Sequence, residues 1–179
     1  SMPLQLSITL PDSAPMTLTR EYYGTAVRSL DISRDGRTLV YASPTASGTR
    51  LIAYHLDRGT FAAIPGSENA VLPTLAPDGK SLVAVRADSD LVRLNFEDGK
   101  ATHLTYVFDP LGIAWTKEDE LFVTDLAGCV SSLSASSGAV RVKTAREKCG
   151  LFFSKGELAE TSAGRGHLLL SQTGQLATF

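Results

Sequence analysis

The stretch Ser33-Arg34-Asp35-Gly36-Arg37-Thr38-Leu39-Val40-Tyr41 returns later in the chain as Ala76-Pro77-Asp78-Gly79-Lys80-Ser81-Leu82-Val83-Ala84. In both, an Asp-Gly pair is followed by a basic residue and then by an apolar run. Gly36 and Gly79 lie 43 residues apart. Asp-Gly between two strand-like runs is a tight-turn signal, because Asp hydrogen-bonds its own backbone and glycine accepts a positive φ. A phrase repeated at this period marks an array of similar units and outranks any local reading.

Working outward from these turns, four units overlay one another. Their first strands are expected at Ser29 to Ser33, Pro73 to Ala76, Gly112 to Thr116 and Gly150 to Ser154. Second strands follow at Thr38 to Ser43, Ser81 to Ala87, Glu120 to Leu126 and Glu157 to Thr161. Third strands fall at Arg50 to Leu56, Asp90 to Phe96, Cys129 to Leu133 and His167 to Ser171, each ending at a glycine turn (Gly59, Gly99, Gly138, Gly174). Fourth strands begin at Phe61, Ala101, Val140 and Leu176. Third strands such as Leu91-Val92-Arg93-Leu94-Asn95-Phe96 alternate in polarity, as half-buried strands do. No helical periodicity of ten residues or more is present. The expected fold is therefore all-β: a β-propeller-type array of about four four-stranded antiparallel blades, either a small ring or part of a larger one. Blade boundaries are expected near 25–68, 69–108, 109–147 and 148–179. Residues 3–24 form a lead-in whose alternating run Leu4 to Leu10 is read as a strand able to close the ring. An open array would expose two blade faces and tend to pair with another copy.

Composition narrows the class. With 179 residues and 43% hydrophobic content the chain can bury a core. Its 17 basic and 19 acidic residues give a net charge of −2 with no basic stripe, so a nucleic-acid surface is not expected. Ser1-Met2 reads as a cloning scar, so the chain is expected to be a piece of something longer.

The phrases around Asp35-Gly36 and Asp78-Gly79 resemble the Ser-Pro-Asp-Gly-Arg/Lys turns of TolB-like (PD40, WD40-like) propellers. Leu10-Pro11-Asp12-Ser13-Ala14-Pro15, Leu56-Asp57-Arg58, Ile64-Pro65-Gly66-Ser67-Glu68-Asn69-Ala70 and Ile113-Ala114-Trp115 are similar, in the same order, to landmarks of propellers appended to bacterial signalling proteins. The likeness covers about residues 4 to 126 well and the rest weakly. Such propellers follow a membrane helix in receptor Ser/Thr kinases or winged-helix transcriptional activators. The resemblance implies a sensor or interaction module on the extracytoplasmic side of a membrane-anchored parent, binding a protein or a small ligand. It implies no catalytic residues, and no cofactor motif is present. Trp115 is followed by Thr116 and no Trp-Asp pair occurs, which argues against a eukaryotic WD40 scaffold. The rival expectations are an accessory propeller of a prolyl-oligopeptidase-type serine peptidase and a periplasmic TolB-type interaction protein.

Candidate chemistry is sparse. Asp35 and Asp78 could meet a cation, but an Asp capping its own turn is the simpler reading, and Asp57, Asp88, Asp90 and Asp98 lack calcium-loop spacing. His55, His103 and His167 fall in three units without metal-ligand spacing. Cys129 and Cys149, the two cysteines, either form a disulfide stapling the third and fourth units or stand as two semi-buried thiols. No Gly-x-Ser-x-Gly elbow occurs, and Ser131 to Ser137 read as turn and solvent-face residues. Gly164-Arg165-Gly166-His167 lacks the lysine and helix of a phosphate loop. Tyr22, Tyr23, Tyr41, Tyr54, Tyr106 and Trp115 either line a ligand groove or pack between blades.

Overall fold

A computed structural model describes residues 8–17, 30–87, 89–96, 98–116, 119–125 and 127–143 in full, and the strand backbone at 21–22, 25–26, 156–160, 167–171 and 176–178. A small hairpin of β1 (Glu21–Tyr22) and β2 (Thr25–Ala26) precedes three four-stranded antiparallel meanders. The first is β3 (Leu30–Ile32), β4 (Thr38–Thr45), β5 (Gly48–His55) and β6 (Thr60–Ala63). The second is β7 (Ala70–Leu75), β8 (Ser81–Arg86), β9 (Asp90–Asn95) and β10 (Ala101–Tyr106). The third is β11 (Pro110–Trp115), β12 (Glu120–Asp125), β13 (Val130–Ser134) and β14 (Val140–Lys143). A three-stranded sheet of β15 (Gly156–Glu160), β16 (His167–Ser171) and β17 (Leu176–Thr178) follows. The expected strand at Gly150 to Ser154 lies outside the described residues.

The first strands sit side by side, β3 against β7 and β7 against β11. The Leu75 amide donates to an Asp31 carboxylate oxygen (2.7 Å), and the Thr74 hydroxyl donates to the Ile113 carbonyl (3.3 Å). From this line the sheets run outward, and burial falls along the second and third: β11 is buried at every residue, whereas β14 is exposed throughout. In the first sheet β3 is itself largely exposed, β4 carries the burial, and β6 is exposed throughout. The period-2 alternation sends each blade's apolar side chains to two opposite cores. Between blades 1 and 2 lie Val40, Ala42, Leu51, Leu75, Leu82, Val92 and Leu94; between blades 2 and 3 lie Val83, Val85, Leu91, Ile113, Trp115, Leu121 and Leu133. Each fully buried Leu or Val contributes on the order of 1.5–3 kcal/mol, so these inter-blade seams hold the array together.

Two first strands start earlier than the sequence indicates, at Ala70 and Pro110. β-bulges at Val71/Thr74 and Pro110/Gly112 explain this, with Leu72 (φ 54) and Asp109 (φ 40) in left-handed conformations. Pro73 is tolerated inside a strand because it falls within a bulge. Of the expected lead-in strand Leu4 to Leu10, residues 4–7 lie outside the described residues, and Ile8 to Leu10 are not strand. Instead residues 8–17 cross the free face of blade 1, where Ile8, Leu10, Ala14 and Met16 pack on Leu39, Tyr41 and Ile52. The Tyr41 hydroxyl donates to the Ala14 carbonyl (2.7 Å), and the Thr17 amide donates to the Ala42 carbonyl (2.9 Å). Among the described residues this segment is a strap over its own blade. Its cover stops short of the first strand, where Leu30 and Ile32 remain 37% and 45% exposed.

Candidate functional site

The repeat turns are built by their own side chains. An Asp35 carboxylate oxygen accepts from the Ser33 hydroxyl (2.6 Å) and the Arg37 amide (3.0 Å), and these bonds hold its carboxyl below the ordinary carboxylate value. Asp78 likewise accepts from the Lys80 amide (3.0 Å). Gly36 and Gly79 adopt φ of 70° and 69°, which turn geometry demands. In blade 3 the equivalent turn is one residue shorter. Asp119 itself takes φ 56° and accepts hydrogen bonds from Ser134 (3.2 Å) and Ser136 (2.8 Å), tying two turns together. Of the serine run, Ser136 and Ser137 are exposed turn residues, whereas Ser132 and Ser134 are buried.

Cys129 is 6% exposed and disulfide-bonded, and its amide donates to Asp125 (2.8 Å). Cys149 lies outside the described residues, as do Tyr23 and the Gly164–Gly166 turn; Tyr22 and His167 are described in backbone only. The remaining aromatics do not share a groove. Tyr41 and Tyr54 belong to the free face of blade 1, Trp115 to the core between blades 2 and 3, and Tyr106 is 75% exposed.

His55 Nδ1 lies 3.5 Å from the Thr38 hydroxyl. His103 is engaged more closely: its Nδ1 lies 2.6 Å from an Asp90 carboxylate oxygen, and the Arg86 guanidinium donates to the other oxygen (2.9 Å). Burial raises the Asp90 pKa, but the bonds from His103 and Arg86 outweigh it and leave the carboxyl below its ordinary value. The His103 ring rests on Tyr106 at 4.8 Å. Among the described residues no hydroxyl or thiol hydrogen-bonds this His–Asp pair beyond that frame, and no three His, Cys, Asp or Glu side chains converge.

At the other end of the same strands, a cleft of about 350 Å³ opens between blades 2 and 3. It is lined by Asp78 and Lys80 of the β7–β8 turn, Ser81 of β8, Arg93 and Asn95 of β9, Lys100 of the β9–β10 turn, Thr102 of β10, and Ser136 from blade 3. Arg93 is the anchor: its guanidinium lies 5.3 Å from the Trp115 ring centroid, and its Nε donates to the Ser81 hydroxyl (3.2 Å). This site is absent from the motif reading. The available signal was Arg93 itself, a cation on a blade-facing position where blade 1 has Ala53 and blade 3 has Ser132.

No family model matches the chain, and no curated protein is similar to it in sequence. Among solved structures it is similar to TolB from Acinetobacter baumannii, at 17% identity and a TM-score of 0.59, over 84% of this chain and 42% of that one. It is similar to the RRP9 WD40 repeats at 11% identity and a TM-score of 0.57, over 93% of this chain and 55% of that one. It is similar to Pyrococcus horikoshii acylaminoacyl peptidase at 12% identity and a TM-score of 0.55, over 84% of this chain and 32% of that one. The chain thus spans well under two thirds of each of these proteins. What they share with it is the fold: these blades are a partial β-propeller.

Proposed function

We propose that the chain is the propeller part of a larger bacterial protein and serves as a non-catalytic interaction domain, holding its ligand in the cleft between blades 2 and 3. The observation that carries this reading is the make-up of the cleft. Cations, hydroxyls, an amide and one carboxylate from three strands and three turns meet in one concavity, and no histidine or thiol lines it. Such a set binds and orients; activating a nucleophile calls for a base set against it. In the finer reading the parent is a membrane-anchored signalling or transcription-regulatory protein with the propeller on the extracytoplasmic side, and ligand binding alters blade packing or dimerisation. That reading rests on the Asp-Gly turns and the Leu10 to Pro15 opening. An accessory propeller of a peptidase would instead sit beside a hydrolase domain and leave the cleft without a ligand of its own.

The test is thermal unfolding of the chain with a panel of acidic, neutral and basic small molecules and short peptides, repeated on Thr102→Trp, which fills the cleft. A ligand at a hundred times its Kd stabilises by about 2.7 kcal/mol, a rise in Tm of roughly 5–10 °C at this chain length. The expected result is such a rise for the unaltered chain and none for Thr102→Trp. A panel without effect, or equal shifts in both proteins, overturns the reading.

A further inference from the structure

The charge in the cleft is one-sided. Lys80, Arg93 and Lys100 face a single lining carboxylate, Asp78, which already accepts the Lys80 amide of its own turn. The whole chain carries −2, so the excess of positive charge is local. The blade fold does not require it either. The strand registers place Arg37, Ala53 and Thr60 at the equivalent positions of blade 1, and Asp119, Ser132 and Ala139 at those of blade 3. Only blade 2 carries the full trio.

Cations gathered in a concavity repel one another, and an anion between them relieves that cost. Arg93 is the least free of the three. Trp115 and Ser81 hold its guanidinium from two sides, so its plane is fixed while its remaining N–H donors are left for a ligand. Among the described residues the ammonium groups of Lys80 and Lys100 form no ion pair. The Ser81, Thr102 and Ser136 hydroxyls complete the lining, and Ser136 is held in place by Asp119. A volume of about 350 Å³ falls at the lower end of small-molecule sites.

We propose that this cleft binds a small oxyanionic ligand, a phosphate ester or a polycarboxylate, with Arg93 as the oriented donor and Lys80 and Lys100 as flanking charges. This rests on the reading of the cleft as the ligand site. The experiment is isothermal titration of the chain with pyrophosphate, glucose 6-phosphate, citrate and neutral glucose, at low salt and at about 0.15 M ionic strength. It is repeated on Lys80→Ala/Lys100→Ala, whose changes fall on exposed side chains, and on Arg93→Lys, which keeps the charge and loses the planar fork.

The expected result is that at least one anion binds while glucose does not. Affinity should fall at least tenfold in the double variant and about tenfold in Arg93→Lys, because a point charge cannot replace a fixed bidentate donor. Preference for pyrophosphate or glucose 6-phosphate over citrate identifies phosphate as the source; the reverse identifies carboxylate. Anions bound equally by the chain and the double variant overturn the proposal. So does the absence of any bound anion when, in the thermal-unfolding panel, only neutral or basic ligands stabilise the chain and Thr102→Trp abolishes their effect, an outcome that leaves the interaction reading standing.

Discussion

Gly79 and Gly138 hold nearly the same backbone conformation, φ 69° and 72°, yet the demands on them differ. A Cβ on Gly79 would meet open space. A Cβ on Gly138 would strike the Leu104 backbone, because the β13–β14 turn presses against the outer strand of blade 2. Gly79→Ala is therefore expected to cost only the left-handed strain, about 1 kcal/mol. Gly138→Ala should cost about 3 kcal/mol, since backbone has to move as well. Urea unfolding of the two variants checks this, and equal losses would contradict the close approach. Both glycines are legible in the sequence as turns. That one of them is also an inter-blade contact is not, because the contact is made to a residue 34 positions earlier.

At the scale of elements, the strands follow the sequence closely because their pairing is local. Each meander joins neighbours through short turns, and the alternation of apolar residues fixes which faces they present. The sequence misleads where an element is irregular. Bulges move the starts of β7 and β11 ahead of Pro73 and Gly112, and Ile8 to Leu10, the described end of the alternating lead-in, join a strap instead of a strand. The strap is held by its apolar packing, by the Thr17–Ala42 backbone bond and by a buried side-chain bond from the Tyr41 hydroxyl to the Ala14 carbonyl. Tyr41→Phe leaves that carbonyl buried without its partner and is expected to cost about 1–2 kcal/mol. Amide exchange at Thr17 should accelerate in the variant while exchange within β8 and β9 stays slow. Uniform acceleration would show that the strap is part of the global unit and not a separate cover.

On the scale of the whole molecule, the decisive feature is the free face of blade 1. First strands β7 and β11 are enclosed by blades on both sides, whereas β3 presents Leu30 and Ile32 to solvent beyond the strap. An apolar strip beside an open sheet face favours a partner. Self-association that grows with concentration is expected in light scattering, and Ile32→Asp should reduce it without lowering Tm by more than about 2 °C, as befits an exposed position. A chain that stays monomeric at every concentration would show that the strap alone suffices as a cap.

Taken together, the sequence by itself determined the strands, their grouping into repeated four-stranded units and the turns that join them, because each of these depends on residues close together in the chain. Only the tertiary structure decided which faces of different blades meet. Lys80, Arg93, Lys100 and Ser136 are unremarkable along the chain and become a cleft once blade 3 stacks on blade 2 and Trp115 receives the Arg93 guanidinium. The same stacking left Tyr41, Tyr106 and Trp115 in three separate places. Repeat spacing records how each blade is made; side-chain packing between blades sets where they converge, and no periodicity carries that information.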